Sequence, residues 1–200
     1  MQAEGLLILH HGRGTDERDL LGLADVLDPR RRLQVFTPRA PLQLPGSPGY
    51  HWYLVPRVGY PDRDTFHAAR AALAELHDGL WEETGIGPDR TVLGGFSMGS
   101  VMSYAMALGE DRPPVAGILA FSGFVPTVDG WQPSFADRPD TRAFIAHGRA
   151  DPIMDVALGR GARDLLEDGG LDVEYRESDV AHQIDPRYLP AAAEWLEQLV

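Results

Sequence analysis

Short apolar runs alternate along the chain with longer segments in which apolar residues recur every three or four positions. The short runs are typical of strands buried in a sheet, and the longer segments are typical of helices that cover it. The candidate strands are 6–9, 33–36, 91–94, 115–121, 143–146 and 171–175. This alternation predicts an α/β fold with a mostly parallel central sheet and helices on both faces.

Three segments carry the clearest helical patterns. From Asp64 onward, apolar residues recur at helical spacing as far as Leu80, and Gly85 is placed to end this helix. Segment 98–108 is apolar on nearly every side, which indicates a helix buried against the sheet. A last amphipathic helix is expected near 188–199. Because the intervening segments also connect strands, we expect them to be helical as well.

The composition fits one folded unit. The chain has 200 residues, of which 44% are hydrophobic and 24% charged, and a chain of this length buries a sizeable core without disulfides or metals. We therefore expect a single domain over 1–200. Stretches 37–62 and 122–140 are irregular and contain several aromatic residues, and neither has the length or composition of a second domain.

Charge and missing residue types exclude several functions. The formal net charge is -12, which disfavours binding to nucleic acid or to anionic lipid. Cysteine is absent and all 18 basic residues are arginine, so thiolate chemistry, a P-loop lysine and a Schiff-base lysine are excluded. The first residues form neither a secretory signal nor a membrane span. We expect a cytoplasmic protein without a stable membrane anchor.

The sharpest motif is Gly-Phe-Ser-Met-Gly at 95–99, between a predicted strand and the predicted buried helix. In a G-x-S-x-G turn the serine is held at the carboxyl edge of the sheet, and the glycines remove side chains that would collide with neighbouring backbone. Ser97 is therefore the candidate nucleophile. The alternative is a glycine-rich turn with an ordinary surface serine.

A serine nucleophile needs a base and an acid that orients the base. Asp151 follows the predicted strand 143–146, and His182 follows the strand 171–175, so the order Ser, Asp, His is that of α/β-hydrolases. Asp151 has an alternative role as a helix N-cap. Asp179 and Asp185 compete for the role of acid, but they lie on the same loop as His182.

An oxyanion hole needs two donors aimed at the developing negative charge. The backbone N–H of Met98 follows the nucleophile directly, and the loop 9–16 offers the backbone N–H of Arg13 between two glycines. His10 and His11 in the same loop could alternatively bind a metal, but adjacent side chains point apart and no third ligand has suitable spacing. We expect no metal and no cofactor.

Aromatic residues in the two irregular stretches are candidates for a substrate pocket. Trp52, Tyr53, Phe124 and Trp131 lie in loops expected near the site, and such side chains favour an apolar acyl or aryl group. Satellite packing under the loops is the alternative role for each of them.

These motifs together resemble small α/β-hydrolases of the carboxylesterase and phospholipase type, which are related to acyl-protein thioesterases and dienelactone hydrolases. The resemblance covers most of the chain. It is carried by His11-Gly12-Arg13-Gly14, Pro38-Arg39-Ala40-Pro41, Gly95-Phe96-Ser97-Met98-Gly99, Ser122-Gly123-Phe124, His147-Gly148, Asp151-Pro152 and Ala181-His182. It implies an α/β-hydrolase fold without a large lid domain, no cofactor, and a pocket shaped by the loops that follow the strands.

The sequence thus predicts a serine carboxylesterase that hydrolyses small carboxylic esters through an acyl-enzyme. A thioesterase or a lysophospholipase would use the same three residues, and a non-catalytic scaffold would keep the pocket without turnover. The expected partner is a small-molecule ester, with no nucleic acid. Related enzymes are often dimeric, so the expected oligomeric state is either a monomer or a homodimer.

Overall fold

A computed structural model describes residues 3–200 as one central sheet with flanking helices. The strands are β1 (Gly5–His10), β2 (Leu33–Phe36), β3 (Thr91–Phe96), β4 (Gly117–Phe121), β5 (Arg142–Gly148) and β6 (Asp172–Ser178). The helices are α1 (Leu21–Leu27), α2 (Arg63–Thr84), α3 (Met98–Ala107), α4 (Val156–Asp168) and α5 (Leu189–Glu197). Short 3-10 turns at Pro88–Arg90 and Pro186–Tyr188 precede β3 and α5.

All neighbouring strands in the sheet are parallel, in the order β2-β1-β3-β4-β5-β6. The predicted fold class is thereby confirmed. The chain moves to one side of β1 for β2 and to the other side for β3, so β1 and β3 form a topological switch point. Loops at the carboxyl ends of such strands diverge and leave a crevice for a ligand.

The core has one hydrophobic cluster on each face of the sheet. Along β1, Ile8 packs into the first cluster, whereas Leu7 and Leu9 pack into the second, as the alternation of side chains along a strand requires. Helices α2, α3 and α4 cover the first cluster, and α1 and α5 cover the second. Because both faces are covered, the central strands are apolar throughout, as is typical of parallel sheets.

Helix boundaries follow local capping chemistry. The side chain of Asp62 accepts a hydrogen bond from the backbone N–H of Thr65 and caps α2, two residues before the predicted start. Gly85 ends the helix with a φ of 68°, as predicted for a left-handed C-cap. No helix in the described part of the chain combines the length and apolar character that a membrane span needs.

Edge strand β6 is longer than predicted. It extends to Ser178 and is half-buried over most of its length, because no strand covers its outer side. Polar residues such as Glu174 and Arg176 occupy it and pair with each other. The apolar pattern that marks a buried strand therefore stops early, although β6 pairs with β5 along all seven of its residues.

Candidate active site

Ser97 lies in the sharp turn between β3 and α3. Its φ of 55° and ψ of -120° are unfavourable for a residue with a side chain, and such strain is concentrated at functional turns. A β-carbon at Gly95 would lie 2.7 Å from the carbonyl oxygen of His10, and one at Gly99 would lie 1.9 Å from the same oxygen. The two glycines therefore let β1 pack directly against the turn.

A chain of hydrogen bonds links three side chains that are far apart in sequence. Nε2 of His182 is 2.8 Å from Oγ of Ser97, and Nδ1 of His182 is 2.6 Å from Oδ2 of Asp151. The Asp151 side chain is fully buried, and that of His182 is 14% exposed. The structure thus brings together the three residues that the sequence singled out, in the order nucleophile, base and acid.

Asp151 is fixed by the turn that follows it. Its Oδ1 accepts hydrogen bonds from the backbone N–H groups of Ile153 at 2.9 Å and Met154 at 2.8 Å. Burial on its own raises the pKa of Asp151, but these bonds and the one from His182 outweigh it and hold the pKa below the usual range. Asp151 is therefore a carboxylate that accepts from His182 with its free oxygen.

The alternative roles for acidic residues are filled elsewhere. Asp155 is the N-cap of α4, where its side chain accepts from the backbone N–H of Ala157. Asp179 pairs with Arg149, and Asp185 pairs with Arg187. These contacts leave Asp151 as the acid that meets His182.

The loop of His182 packs closely against the end of β5. A β-carbon at Gly148 would lie 2.3 Å from the carbonyl oxygen of Val180, so only glycine allows this approach. On its other side, the imidazole of His182 contacts the Phe96 ring, with ring centroids 4.9 Å apart. The base is therefore held between the end of β5 and the nucleophile turn.

Two backbone N–H groups are free to bind an oxyanion. Arg13 and Met98 both line the cavity beside Ser97. Across residues 3–200, neither N–H donates to a protein acceptor. Both donors are those expected from the sequence.

The cavity at Ser97 has a volume of about 240 Å³ and a mainly apolar lining. Tyr53 and Phe124, two of the four predicted aromatic residues, form part of its wall. Further lining residues were not predicted from the sequence, among them Val58, Tyr60, Ile153 and Met154. Ile153 and Met154 follow Asp151 directly, so their nearness to the acid was the available signal.

The prediction that Trp52 and Trp131 line the pocket was wrong. Trp52 is 1% exposed and its Nε1 donates to the carbonyl oxygen of His11 at 2.9 Å. Trp131 is 5% exposed and its Nε1 donates to the carbonyl oxygen of Ala105 at 3.2 Å. Neither side chain lines the cavity at Ser97, and each indole N–H is satisfied by a backbone acceptor inside the protein.

His10 and His11 each contact other groups of the protein. His10 contacts Ser103 and His77, and His11 contacts backbone groups and Thr15. Within residues 3–200, no group of three or more acidic or histidine side chains has the arrangement of a metal site.

The fold and the serine turn define an α/β-hydrolase of the serine type. A sequence model of the phospholipase/carboxylesterase family matches residues 1–200. The chain belongs to this family, and it is a serine hydrolase that acts on ester bonds.

Thioesterases and an esterase are similar in sequence to this chain. Acyl-protein thioesterase 1 of Neurospora crassa is 36% identical over 114 residues, which cover 51% of this chain and 43% of that protein. Acyl-protein thioesterase 1 of Debaryomyces hansenii is 29% identical and aligns with 82% of this chain and 75% of that protein. Esterase YpfH of Escherichia coli is 25% identical, with 99% of this chain and 84% of that protein aligned.

Solved structures share the architecture. The crystal structure of esterase PE8 is 29% identical, has a TM-score of 0.80, and aligns with 99% of this chain and 94% of its own. The Bacillus cereus carboxylesterase is 24% identical and has a TM-score of 0.87, with 100% of this chain and 91% of that chain covered. The latter similarity supports the fold alone.

Proposed function

We propose that Ser97, His182 and Asp151 are the catalytic triad of a carboxylesterase that hydrolyses small carboxylic esters. The observation that carries this proposal is the continuous hydrogen-bonded chain from Oγ of Ser97 through His182 to the buried Asp151 carboxylate. A serine hydroxyl is a weak nucleophile without such a base, and the base needs an acid to fix its tautomer.

The reaction proceeds in two acyl-transfer steps. Nε2 of His182 takes the Ser97 proton while Oγ attacks the ester carbonyl, and the backbone N–H groups of Arg13 and Met98 bind the resulting oxyanion. The intermediate collapses when His182 returns the proton to the leaving alkoxide, which departs as the alcohol. Water then attacks the acyl-enzyme in the same way, which releases the acid and restores Ser97.

The cavity supports an ester with an apolar acyl or aryl group of modest size. Its volume of about 240 Å³ is slightly below the range of typical small-molecule sites. Tyr53, Phe124 and Met154 present apolar surface to it, and such surface favours groups that lose water readily. The net charge of -12 disfavours nucleic acid as a partner.

A thioesterase activity is the second candidate. It is favoured by the relatives named acyl-protein thioesterase 1, and the same nucleophile, base and oxyanion donors would cleave a thioester. Rates on matched esters and thioesters of equal chain length separate the two functions. A lysolipid in the same series tests lysophospholipase activity.

The setting of this activity is also proposed. A cysteine-free chain suits a reducing compartment, and we therefore propose a cytoplasmic location, with a small-molecule ester as the partner. Size-exclusion chromatography with light scattering distinguishes a monomer from the homodimer that the family resemblance leaves open.

Labelling with a fluorophosphonate probe, followed by mass spectrometry of the modified peptide, tests the proposed function. We expect one adduct, on Ser97, together with ester hydrolysis that Ser97→Ala abolishes. Ser47→Ala is the matched control, because Ser47 lies outside the site and its hydroxyl contacts Nε2 of His51 at 3.1 Å. A wild-type protein that neither reacts with the probe nor hydrolyses any ester of the panel would be a non-catalytic scaffold.

A further inference from the structure

The peptide unit between Gly12 and Arg13 contains the N–H that is proposed as the first oxyanion donor. The carbonyl oxygen of the same unit is held by two hydrogen bonds. The carbonyl oxygen of Gly12 accepts from Nδ1 of His11 at 2.7 Å and from Oγ1 of Thr15 at 3.0 Å. The N–H of Arg13 belongs to the same planar unit, and in a trans peptide the C=O and the N–H point in opposite directions. The two bonds to the carbonyl oxygen therefore fix the direction of this N–H, which belongs to a residue that lines the cavity.

The tautomer of His11 is fixed by a segment that follows β2. The backbone N–H of Ala40 donates to Nε2 of His11 at 3.0 Å, so this nitrogen is the acceptor and the ring proton is on Nδ1. That proton is the one directed at the carbonyl oxygen of Gly12. Burial lowers the pKa of His11, although the bond to Gly12 acts in the opposite direction, and the ring is therefore neutral at pH 7.

The loop needs such restraint because glycines flank Arg13. Gly14 has a φ of 78°, and glycine on either side lowers the energetic cost of rotating the intervening peptide units. A rotated unit would turn the Gly12 carbonyl oxygen into the cavity, where it would repel a developing oxyanion. Antiparallel pairing of Thr15 with Tyr50 holds the far end of the loop in place.

We propose that His11 and Thr15 are positioning residues that lock the Gly12–Arg13 peptide so that the Arg13 N–H faces the oxyanion. The inference rests on the proposed function, because it assigns a role in the same reaction. Neither side chain donates to the substrate in this scheme. Both act through the carbonyl of Gly12, and polarisation of that carbonyl also strengthens the N–H as a donor.

The matched pair Thr15→Val and Thr15→Ser tests this role. Valine has the shape of threonine but no hydroxyl donor, whereas serine keeps the donor. We expect Thr15→Val to lower kcat about tenfold, since loss of a whole oxyanion donor costs about 10²- to 10³-fold and His11 still holds the carbonyl. The KM should change less than about twofold, because the lost interaction forms only in the transition state. Thr15→Ser should restore most of the rate.

Inhibitor binding separates positioning from general damage. A trifluoromethyl ketone forms a tetrahedral oxyanion adduct with a serine nucleophile, whereas the matched methyl ketone binds mainly as an unreacted ketone. We expect Thr15→Val to weaken the fluorinated ketone by the same factor as kcat/KM and to leave the affinity for the methyl ketone unchanged. His11→Asn, which keeps a side-chain donor near the position of Nδ1, should retain more activity than His11→Leu.

Two results would overturn the inference. One is wild-type kcat and fluorinated-ketone affinity in Thr15→Val, and the other is an equal loss of affinity for both ketones, which would indicate a distorted pocket. If His11→Leu does not fold, the Thr15 pair decides the matter. In each case the wild-type protein is still labelled on Ser97 and hydrolyses esters, so this failure is distinguishable from failure of the proposed function.

Discussion

Gly99 at the start of α3 lies against the backbone of His10 at the end of β1. A β-carbon at position 99 would lie 1.9 Å from the His10 carbonyl oxygen. This oxygen belongs to the backbone of β1, so it cannot move aside as a flexible side chain could. This contact brings the Ser97 turn next to the loop that carries Arg13. Glycine at position 99, like glycine at position 95, therefore allows the Ser97 turn and the loop of Arg13 to lie side by side.

Gly99→Ala should accordingly disrupt the active site and destabilise the fold. We expect strongly reduced soluble yield, or a lower melting temperature with loss of fluorophosphonate labelling. The control is Gly79→Ala in α2, where nothing lies within 4 Å of an added β-carbon; it should stabilise the protein by about 0.5–1 kcal/mol. A Gly99→Ala protein with wild-type melting and labelling would contradict the packing described for β1 and α3.

Asp151→Asn should remove most of the activity without unfolding the protein. An amide in this position still offers an oxygen to the N–H groups of Ile153 and Met154, but its NH₂ group then faces Nδ1 of His182 and favours the wrong tautomer. We expect kcat to fall by about 10³- to 10⁴-fold, measured on a fast ester with thermal melting in parallel. Asp155→Asn is the control, because asparagine also caps helices; a similar loss there would argue against a specific role for Asp151.

Phe124 and Trp131 should respond differently to truncation. Phe124 lines the cavity at Ser97, so Phe124→Ala should shift the preferred acyl chain toward longer esters. Trp131 is buried outside that cavity, so Trp131→Ala should destabilise the protein by about 3–5 kcal/mol with the chain-length preference unchanged. Rates over a series of esters, with urea unfolding of both variants, check this. An unchanged chain-length preference in Phe124→Ala would show that Phe124 does not contact the acyl group of the substrate.

Stability should fall as the pH is lowered from neutral. Burial, aided by the charge of Arg112, lowers the pKa of His77 to about 3, and burial also holds the pKa of His10 well below its usual range. The unfolded chain takes up these protons near pH 6.5, whereas the folded chain does not. The free energy of unfolding therefore decreases as the pH falls below about 6.5, and it continues to decrease until the pH reaches the pKa values that these histidines have in the folded protein.

His77→Gln offers a direct check of this linkage. The variant lacks one of the groups that bind a proton only on unfolding, so the slope of unfolding free energy against pH between about 6 and 4 should decrease by about one proton. Urea unfolding at several pH values measures the slope. The same slope in the variant and the wild-type protein would mean that His77 is not a buried neutral histidine.

The sequence was sufficient to predict that Ser97, Asp151 and His182 lie together, because each follows a strand that the apolar pattern predicts. Parallel strands bring their carboxyl ends to one edge, so loop residues far apart in sequence could be expected to meet. The donors at Arg13 and Met98 followed from the same reasoning.

The aromatic residues could not be sorted in this way. Trp52 and Tyr53 are adjacent in sequence, yet Trp52 turns inward to His11 while Tyr53 lines the cavity. Both side chains are buried, and which of them reaches the cavity depends on the path of an irregular segment, where periodicity carries no information. The full length of β6 was missed for a related reason, since an edge strand with polar side chains lacks the apolar run of a central strand.

One part of the cavity wall comes from a stretch of the polypeptide that does not contribute to the hydrogen-bonded chain. Ser97, Asp151 and His182 follow β3, β5 and β6, whereas Tyr53, Val58 and Tyr60 belong to the segment between β2 and α2. Substitutions at Val58 and Tyr60 would change what enters the cavity while the proton path from Ser97 to Asp151 kept its geometry. This part of the wall is therefore open to engineering or divergence without a change in the three hydrogen-bonded residues.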